Sequence, residues 1–339
     1  MSDRYRRQSI LPEVGEEGQA RLGRSHAVIV GCGALGSHQA QLLVRAGVGR
    51  VTLVDRDFVE RSNLQRQILF TDADAEAAIP KAVAAERALS AVNPDVEVRG
   101  IVDDLNAGNA AALLAGADVL CDGTDNFETR FLLNDWSVRE RVPWVYGGVV
   151  GTGGLVLPIL PGETPCLRCV FESPPAAGDL PTCETAGVLG PAVAVIAGVQ
   201  TTETMKLLLG AGDRVLRGLL RYDAWDADFT TVGTGGPRAD CPACGERDFM
   251  WLEGRAGARA ARLCGRDAIQ LLPRGGAPPG LSGLADRLRE EWTVTVNEYL
   301  LRARRDGITL HVFRDGRVIV EGITDEARAR SLVARTIGV

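Results

Sequence analysis

The sequence lacks three features that would point to common functions: it has no excess of basic residues, no membrane-length hydrophobic run and few histidines. Its 38 Lys and Arg residues face 44 Asp and Glu residues, and the net charge of −6 disfavours duplex nucleic acid as a partner. The longest apolar stretch, residues 187–199, is too short to span a bilayer and predicts a buried helix. The polar start of the chain lacks the apolar core of a secretory signal, so we expect a cytoplasmic protein.

Histidine occurs only three times, and no Ser-His-Asp set is evident. Cysteine, in contrast, occurs eight times in 339 residues. In a long chain without a signal sequence, these thiols indicate a reducing compartment, and they favour metal or catalytic roles over disulfides.

Four of the cysteines form two pairs with the spacing Cys-x-x-Cys, namely Cys166 with Cys169 and Cys241 with Cys244. Two residues between thiolates let the chain wrap around a tetrahedral metal, and two such pairs supply a complete Cys₄ site for Zn²⁺. With all four coordination positions filled by protein, the zinc is expected to be structural. The alternative is that the pairs are redox-active dithiols.

Short apolar runs alternate with helical patterns in the first part of the chain, beginning with strands at residues 27–31 and 51–54. This alternation predicts an α/β fold, with a Rossmann-like doubly wound and mostly parallel sheet. From Gly153 the pattern changes to hairpin-like strands, which predict an antiparallel extension, followed by an apolar helix at residues 190–209.

The composition changes again after the second cysteine pair. We expect residues 1–246 to form the first domain and the polar residues 247–261 to be a linker. Residues 262–339 predict a small C-terminal α+β domain, in which Asp315-Gly316 is the turn of a hairpin between alternating strands.

A glycine-rich turn, Gly31-Cys32-Gly33-Ala34-Leu35-Gly36, joins the first predicted strand to a helix. Glycines here allow a tight turn and a close backbone approach, and the helix N-terminus attracts phosphate. Asp55 ends the next strand, where a carboxylate can accept hydrogen bonds from ribose hydroxyls. These residues predict nucleotide binding, but by themselves they do not separate NAD from ATP.

A second set of polar residues favours ATP. Asn63 and Arg66 follow the second strand, and Lys81 opens a helix after Pro80. Arg66 and Lys81 can neutralise a triphosphate, while Asp125, at the carboxyl end of a later strand, can hold Mg²⁺. The simpler interpretation of each basic residue alone is a solvated surface charge. An NAD enzyme has little use for the whole set.

Taken together, the motifs resemble those of one family. They are, in order, Arg4-Tyr-Arg-Arg-Gln8, GCGALGS from Gly31, VDRD from Val54, SNLQRQ from Ser62, Pro80-Lys81, DGTDN from Asp122, the two cysteine pairs and Thr182-Cys183-Glu184-Thr-Ala-Gly187. This set resembles ThiF/MoeB/HesA proteins, the bacterial relatives of ubiquitin-activating enzymes, over residues 1–246. The appended C-terminal domain is similar to that of a longer ThiF-like subgroup.

The resemblance implies a homodimeric adenylyltransferase. Such an enzyme uses Mg-ATP to adenylate the C-terminal glycine of a ubiquitin-fold sulfur carrier ending in Gly-Gly, ThiS-like or MoaD-like, and it releases pyrophosphate. The activated carrier then accepts sulfur in thiamin or molybdopterin biosynthesis, with room for a sulfur-donor protein as a further partner. The implied cofactors are ATP, Mg²⁺ and Zn²⁺, and neither nucleic acid nor a membrane is expected as a partner.

The resemblance also implies roles for individual residues. Those expected to bind nucleotide and metal are Gly31, Gly33 and Gly36 at the phosphates, Asp55 at the ribose, Asn63, Arg66 and Lys81 at the triphosphate, and Asp125 at magnesium. The reaction needs no strong general base, because a terminal carboxylate is already ionised at pH 7. Catalysis is expected to depend on alignment and on neutralising the charge that develops on the phosphates.

Two further residues are implied in catalysis. Arg7 resembles the arginine that reaches the active site of the other subunit. Cys183 resembles a cysteine that is a candidate for a covalent thioester or persulfide link, and a thiolate near a helix N-terminus can act as a nucleophile. The alternative for Cys183 is a loop thiol without an essential role.

Other functions stay open at this point. A related enzyme could activate another carboxylate or a tRNA base with ATP, although the acidic chain shows no basic patch for RNA. An NAD-dependent dehydrogenase would need the glycine turn but not Arg66, Lys81 or the cysteine pairs. A non-catalytic binding module would not need the full set of ATP-binding residues.

Overall fold

The chain divides into two compact units, residues 1–256 and residues 257–339. The computed structural model describes residues 3–175, 182, 185–256, 261–262, 268–271, 280–314 and 316–337. Each unit has its own sheet and its own buried apolar residues.

The sheet of the first unit has eight strands in the order β3-β2-β1-β4-β5-β6-β7-β8. These strands are β1 His26–Val30, β2 Arg50–Val54, β3 Glu97–Ile101, β4 Val119–Asp122, β5 Trp144–Val150, β6 Gly153–Ile159, β7 Leu219–Asp223 and β8 Asp228–Val232. The first five are parallel, and β6 to β8 extend the sheet in the antiparallel direction. The predicted Rossmann-like, mostly parallel sheet with an antiparallel extension is confirmed.

Helices cover both faces of the parallel part. The α-helices of this unit are α1 Arg6–Ser9, α2 Gly15–Leu22, α3 Ala34–Ala46, α4 Asp72–Glu76, α5 Lys81–Val92, α6 Ala110–Leu114, α7 Phe127–Glu140, α8 Leu167–Val170 and α9 Gly190–Leu209, with short 3₁₀ turns at Asp3–Tyr5, Arg61–Asn63 and Gly212–Arg214. Strand β1 is buried at every position, with Val28 and Val30 in one apolar cluster and Ala27 and Ile29 in another. Its side chains alternate between two covered faces, which is why a continuous apolar run predicted it.

Helix α9 is apolar and 20 residues long, enough by length and composition alone to cross a membrane. It lies against β5, β6 and α3, and half of its apolar window is buried inside the unit. Its buried residues include Gln200 and Thr204, and the Gln200 Nε2 donates to the Asp122 carbonyl at 3.0 Å. We therefore assign α9 as a core helix, as the sequence predicts for residues 190–209.

The second unit contains an antiparallel sheet in the order β11-β12-β13-β14-β10-β9, packed with two helices. Its elements are β9 Ala261–Arg262, β10 Ala268–Leu271, α10 Leu281–Leu288, β11 Thr293–Val296, β12 Leu300–Arg305, β13 Ile308–Phe313, β14 Val318–Glu321 and α11 Glu326–Thr336. This is the predicted α+β arrangement. In the predicted hairpin turn Gly316 has φ +84°, while Asp315 lies outside the described residues.

Part of the expected linker, residues 247–261, is packed in the first unit. Phe249 and Leu252 are buried in its apolar core. The Trp251 N–H donates to Asp135 Oδ2 on α7 at 3.0 Å. Residues 257–260 lie outside the described residues.

Candidate active site

The glycine turn, residues 31–36, connects β1 to α3. Gly31 has φ +88°, and a Cβ there would lie 2.5 Å from the Gly123 carbonyl oxygen, so only glycine fits. A Cβ at Gly36 would meet the Gly31 carbonyl oxygen at 1.9 Å. A Cβ at Gly33 would lie 3.8 Å from Gln67 Nε2 and from the Gly123 carbonyl oxygen, which is ordinary van der Waals contact. Backbone N–H groups at such a helix start bind anions.

Asp55 follows β2 and is tied to the glycine turn. Its Oδ2 accepts a hydrogen bond from the Cys32 N–H at 2.6 Å, and its Oδ1 accepts one from the Asp57 N–H at 2.7 Å. Only 8% of Asp55 is exposed. Burial raises the pKa of Asp55, and the Lys81 ammonium opposes that rise. The two backbone hydrogen bonds therefore hold this carboxylate beside the turn.

Lys81 is buried and paired with an acid that the sequence analysis missed. It opens α5, is 5% exposed, and its Nζ lies 3.2 Å from Asp57 Oδ2. Its backbone N–H also donates to the Asp57 carbonyl at 2.9 Å. The Lys81 charge thus lies among the acids that follow β2, and it is not a solvated surface charge. Asp57 stands two residues after Asp55, so its place in the same motif was the available signal.

Asn63 and Arg66 lie on one helical turn. The N–H groups of Arg66 and Gln67 both donate to the Asn63 carbonyl, at 3.1 and 3.0 Å, so these three side chains share one face. Asn63 is 5% exposed, and its Oδ1 has no hydrogen-bond partner among the described residues. Arg66 is half-buried and its Nη1 donates to the Ser62 carbonyl at 2.9 Å. A guanidinium has five N–H donors, so others can still serve an anion.

The loop after β4 carries Asp125 on its surface and a buried ion pair next to it. Arg130 Nε lies 2.9 Å from Oδ2 of the fully buried Asp122, and Arg130 Nη2 donates to the Thr124 carbonyl at 2.8 Å. Burial disfavours the Arg130 charge, but Asp122 and, more weakly, Asp125 raise its pKa. Asp125 is exposed, and a free carboxylate oxygen is a hard ligand of the kind that Mg²⁺ prefers. The sequence analysis missed Arg130.

The order of the strands brings these loops together. Strands β2, β1 and β4 are neighbours, and Asp55, the glycine turn and Asp125 follow their carboxyl ends. Burial lowers the pKa of Arg56, but the carboxylates of Asp104, Asp57 and Asp125 raise it above its ordinary value, so Asp125 lies within electrostatic reach of the loop after β2. Ligands of open α/β sheets bind at this edge, where the strand order reverses.

Arg7 lies at the other end of α3. It is exposed on α1, and the neighbouring Gln8 Nε2 donates to the carbonyl of Ala46, the last residue of α3, at 2.9 Å. Because α3 has 13 residues, the glycine turn at its start is roughly 20 Å away. One chain therefore does not bring Arg7 to its own glycine turn. Cys183 lies outside the described residues.

The four paired cysteines form one cluster. Their Sγ atoms all lie within 4.8 Å of one another, with Cys166 3.5 Å from Cys241 and Cys169 3.3 Å from Cys244. Zn–S bonds of about 2.3 Å in a tetrahedron give sulfur–sulfur edges of about 3.8 Å. The cluster therefore fits Zn²⁺.

The cysteine cluster is anchored to α7, the helix that follows Asp125. Asn134 Oδ1 accepts a hydrogen bond from the Leu167 N–H at 2.7 Å, between the first two cysteines. Arg168, 5% exposed, donates to the Asp248 carbonyl at 3.0 Å. A metal in the cluster would fix the two cysteine segments to each other and to this helix.

Comparison with known proteins settles the family. The sequence pattern of the ThiF family matches residues 5–243, which is most of the chain. This chain belongs to the ThiF family. The matched span contains every residue of the expected nucleotide site and all but the last of the four clustered cysteines, and the resemblance inferred from the motifs is confirmed.

Two relatives extend this ThiF-family assignment. A protein of Bacillus subtilis (strain 168) named sulfur carrier protein ThiS adenylyltransferase is 43% identical over 341 residues, covering 100% of both chains. A protein of Thermus thermophilus named sulfur carrier protein adenylyltransferase is 45% identical over 267 residues, covering 76% of this chain and 97% of that protein. Among solved structures, E. coli MccB with ATP matches with a TM-score of 0.63 at 23% identity, covering 72% of this chain and 75% of that chain. That likeness concerns the fold alone.

Proposed function

We propose that this ThiF-family protein uses ATP to adenylate the C-terminal glycine of a ubiquitin-fold sulfur-carrier protein. The observation that carries this is the similarity over the full length of both chains to the B. subtilis ThiS adenylyltransferase. The site supports it, because a phosphate-binding turn, a fixed carboxylate and a buried lysine meet at one sheet edge. A dehydrogenase would need only the first two.

In this proposal the nucleotide lies along the carboxyl edge of the sheet. Gly31 and Gly36 keep the turn tight, and the backbone N–H groups at the start of α3 bind a phosphate. Asp55 accepts hydrogen bonds from the ribose hydroxyls. The residues proposed to contact the triphosphate are Asn63, Arg66 and Lys81.

Asp125 is the proposed magnesium ligand. Its exposed carboxylate lies on the loop after β4, the strand next to β1, and it interacts electrostatically with Arg56 and Arg130. When bound, Mg²⁺ supplies positive charge to the phosphate oxygens. Lys81 adds a second positive charge from a buried position, where Coulomb interactions are stronger than in water.

The chemical step is a displacement at phosphorus. An oxygen of the carrier's terminal carboxylate attacks the α-phosphorus of ATP, a new P–O bond forms, and the bond to the bridging oxygen of the β-phosphate breaks. The products are the carrier acyl-adenylate and pyrophosphate. Since the nucleophile is already ionised at pH 7, the protein needs to align the reactants and stabilise charge, and it does not need to remove a proton.

The acyl-adenylate would then react with sulfur in a thiamin-type or molybdopterin-type pathway, with a sulfur-donor protein as partner. The name of the B. subtilis relative supports the thiamin-type carrier. Cys183 is the residue of this chain proposed to handle sulfur or a thioester. The reducing cytoplasm suits such thiol chemistry.

A homodimer is part of the proposal. Arg7 lies roughly 20 Å from the glycine turn of its own chain, so a role in catalysis requires it to reach the site of a second copy. Next to it, Ile10 and Leu11 are 66% and 49% exposed, and such apolar side chains suit an interface with that copy.

The remaining parts have structural or docking roles in this proposal. The cysteine cluster holds a structural zinc, because four thiolates leave no open coordination position. Adenylation is assigned to residues 1–246, and the family match over residues 5–243 supports that assignment. The domain at residues 262–339 stabilises the enzyme or contacts the carrier or sulfur donor.

The test is carrier-dependent exchange of pyrophosphate into ATP, using purified carriers ending in Gly-Gly. We expect exchange with at least one ThiS-like or MoaD-like carrier and no turnover of NADH. Asp125→Ala should nearly abolish exchange, whereas Glu128→Ala, an exposed acid in the same region, should retain it. Undiminished exchange by Asp125→Ala would remove the magnesium assignment, and no exchange with any carrier would refute the function.

A further inference from the structure

Two glutamines in the core of the first unit meet at the end of β4. Gln39 on α3 and Gln200 on α9 are both fully buried. The Nε2 of Gln39 donates to the Asp122 carbonyl at 2.9 Å and to Gln200 Oε1 at 2.7 Å. The Nε2 of Gln200 donates to the same carbonyl at 3.0 Å and to the Val145 carbonyl at 3.3 Å. The amide hydrogens of both side chains are therefore used, and two of them reach one backbone oxygen.

This glutamine pair lies where β4 and β5 separate. The two parallel strands pair over a short stretch that ends at Cys121 with Val145, so the Asp122 carbonyl lies beyond the shared ladder. Gln200 replaces the ladder there, because its amide bridges the Asp122 and Val145 carbonyls. A Cβ at Gly147 would come within 2.2 Å of that amide, so β5 accommodates Gln200 only with glycine at this position.

Asp122 in turn fixes the loop that carries Asp125. Its Oδ1 accepts hydrogen bonds from the Thr124 N–H and hydroxyl, at 2.8 and 2.7 Å, and its Oδ2 pairs with Arg130. The same arginine donates to the Thr124 carbonyl at 2.8 Å. Thr124, which precedes Asp125, is thus placed by Asp122 and Arg130. Asp122 itself is held by the arginine at its carboxylate and by the glutamine pair at its carbonyl.

Gln39 also links this loop to the glycine turn. It lies on α3, the helix that begins at the turn. The turn and the loop are in close contact, since a Cβ at Gly123 would lie 2.1 Å from the Gly31 carbonyl oxygen. The hydrogen bond from α3 to the Asp122 carbonyl therefore helps to set the position of the Asp125 carboxylate relative to the phosphate-binding turn.

We propose that Gln39 and Gln200 are positioning residues for magnesium-dependent adenylation. Their amides hold the end of β4 so that Asp125 can reach a metal bound to the phosphates at the glycine turn. The inference rests on the proposed function and on the magnesium role proposed for Asp125. Since the glutamines act through Asp122 and its loop, loss of an amide should weaken the use of Mg-ATP and leave the binding of metal-free ATP unchanged.

The experiment compares calorimetric titrations of the full-length protein with ATP in magnesium-free buffer and in buffer with Mg²⁺. A titration of pyrophosphate exchange with Mg²⁺ accompanies them. Gln39→Met removes one amide and keeps a side chain of similar length. Gln41→Met is the matched control, because Gln41 lies on the same helix and is partly exposed. Thermal unfolding separates a loss of stability from a loss of metal use.

We expect Gln39→Met to raise the Mg²⁺ concentration for half-maximal exchange about fivefold, the scale set by one hydrogen bond. The affinity for ATP should fall only in the titration that contains Mg²⁺, and the KM for the carrier should stay the same. Gln41→Met should match the wild type. If Gln39→Met does not fold, the double variant Gln39→Met/Gln200→Met decides by the same comparison, because replacing both partners by apolar groups can be nearly neutral for stability.

The inference is overturned if the variant needs no more Mg²⁺ than the wild type, or if its ATP affinity falls equally with and without the metal. In either case pyrophosphate exchange by the wild type would leave the proposed function intact. A wild-type protein that binds Mg-ATP with this dependence on Gln39 but exchanges no pyrophosphate with any carrier would instead refute the function and retain the positioning role.

Discussion

Arg130 and Asp122 form a buried ion pair, with Nε 2.9 Å from Oδ2, next to the loop that carries Asp125. The same guanidinium donates to the carbonyls of Thr124 and Gly147, at 2.8 and 3.0 Å. The arginine thus holds the backbone of the loop after β4, at Thr124, and that of the neighbouring strand β5, at Gly147. Its partners come from β4, the following loop and β5, so the pair joins three segments of the site.

Arg130→Met should destabilise the protein strongly, because it leaves the carboxylate of Asp122 buried without its partner. Loss of one member of a buried ion pair typically costs about 3–5 kcal/mol. Urea unfolding followed by circular dichroism measures the change, with Arg139→Met as the control, since Arg139 lies on the same helix and is 37% exposed. An Arg130→Met protein that unfolds at the wild-type urea concentration would contradict this.

The sequence predicted the buried strands well, but it did not predict two strands that are mostly exposed, β8 in the first sheet and β11 in the second. Strand β1 is buried at all five positions and appears in the sequence as an apolar run. Strand β8 is exposed at four of its five positions, and β11 at three of its four, so neither has an apolar run, and neither was predicted. Exposed strands are held by ladder hydrogen bonds to a neighbour, which depend on the partner strand and not on local composition.

The site was predictable where a local motif sets its geometry. A side chain at Gly36 would collide with the backbone of Gly31, and one at Gly31 would collide with the neighbouring loop at Gly123, so both positions require glycine. The ion pair of Asp122 with Arg130 and that of Asp57 with Lys81 were not predicted. Asp57 and Lys81 are 24 residues apart and meet only when α5 packs beside the end of β2. Such pairing is a property of tertiary packing, and a single sequence does not encode it as a pattern.

The cysteine cluster should hold one Zn²⁺ per chain, and Cys244→Ser should lose metal and stability together. Metal analysis and thermal unfolding test this. Cys121→Ser is the control, because Cys121 is a buried cysteine whose Sγ lies 3.4 Å from the Thr204 hydroxyl and does not belong to the four-cysteine cluster. A metal-free wild type with unchanged stability would count against a structural zinc.

Arg7 should act on the site of the partner subunit. Arg7→Ala and Asp125→Ala should each be inactive in pyrophosphate exchange, yet mixing the two should restore part of the activity, because some mixed dimers contain one intact composite site. The control mixes Arg6→Ala with Asp125→Ala, since Arg6 is also exposed on α1. That mixture should show the activity expected from Arg6→Ala subunits alone. Absence of recovery after verified subunit exchange would exclude action in trans.

Acid should destabilise the protein partly through His26. Its Nδ1–H donates to the Gly116 carbonyl and its Nε2 accepts from the Thr52 hydroxyl, both at 2.9 Å, which satisfies the neutral ring. Burial lowers the pKa of His26, although the Gly116 hydrogen bond partly opposes this. A lowered pKa means that the unfolded state binds the proton more readily, so stability falls as pH drops below 6.5.

His26→Asn cannot titrate in this range, so its stability should fall less steeply than that of the wild type between pH 6.5 and 5. The largest difference that one group can make is about 1.4 kcal/mol per pH unit. Urea unfolding at a series of pH values measures both slopes. Equal slopes would show that the protonation of His26 is not linked to folding.

Removal of the second unit should leave ATP binding intact. The residues proposed to bind the nucleotide all lie in the first unit, residues 1–256, which has its own sheet and core. The match to the Thermus thermophilus relative spans 97% of that protein but only 76% of this chain. About a quarter of this chain therefore has no counterpart in that relative. We therefore expect a protein ending after residue 256 to bind ATP with unchanged affinity in a calorimetric titration.

Pyrophosphate exchange by the same shortened protein separates the two roles proposed for the second unit. If that unit contacts the carrier, the KM for the carrier should rise while the KM for ATP stays the same. If it only stabilises the enzyme, both KM values should be unchanged and the melting temperature should fall. Zinc content shows whether the shortened chain is folded. A folded, zinc-loaded protein that fails to bind ATP would show that the second unit completes the nucleotide site, and the assignment of adenylation to the first unit would be wrong.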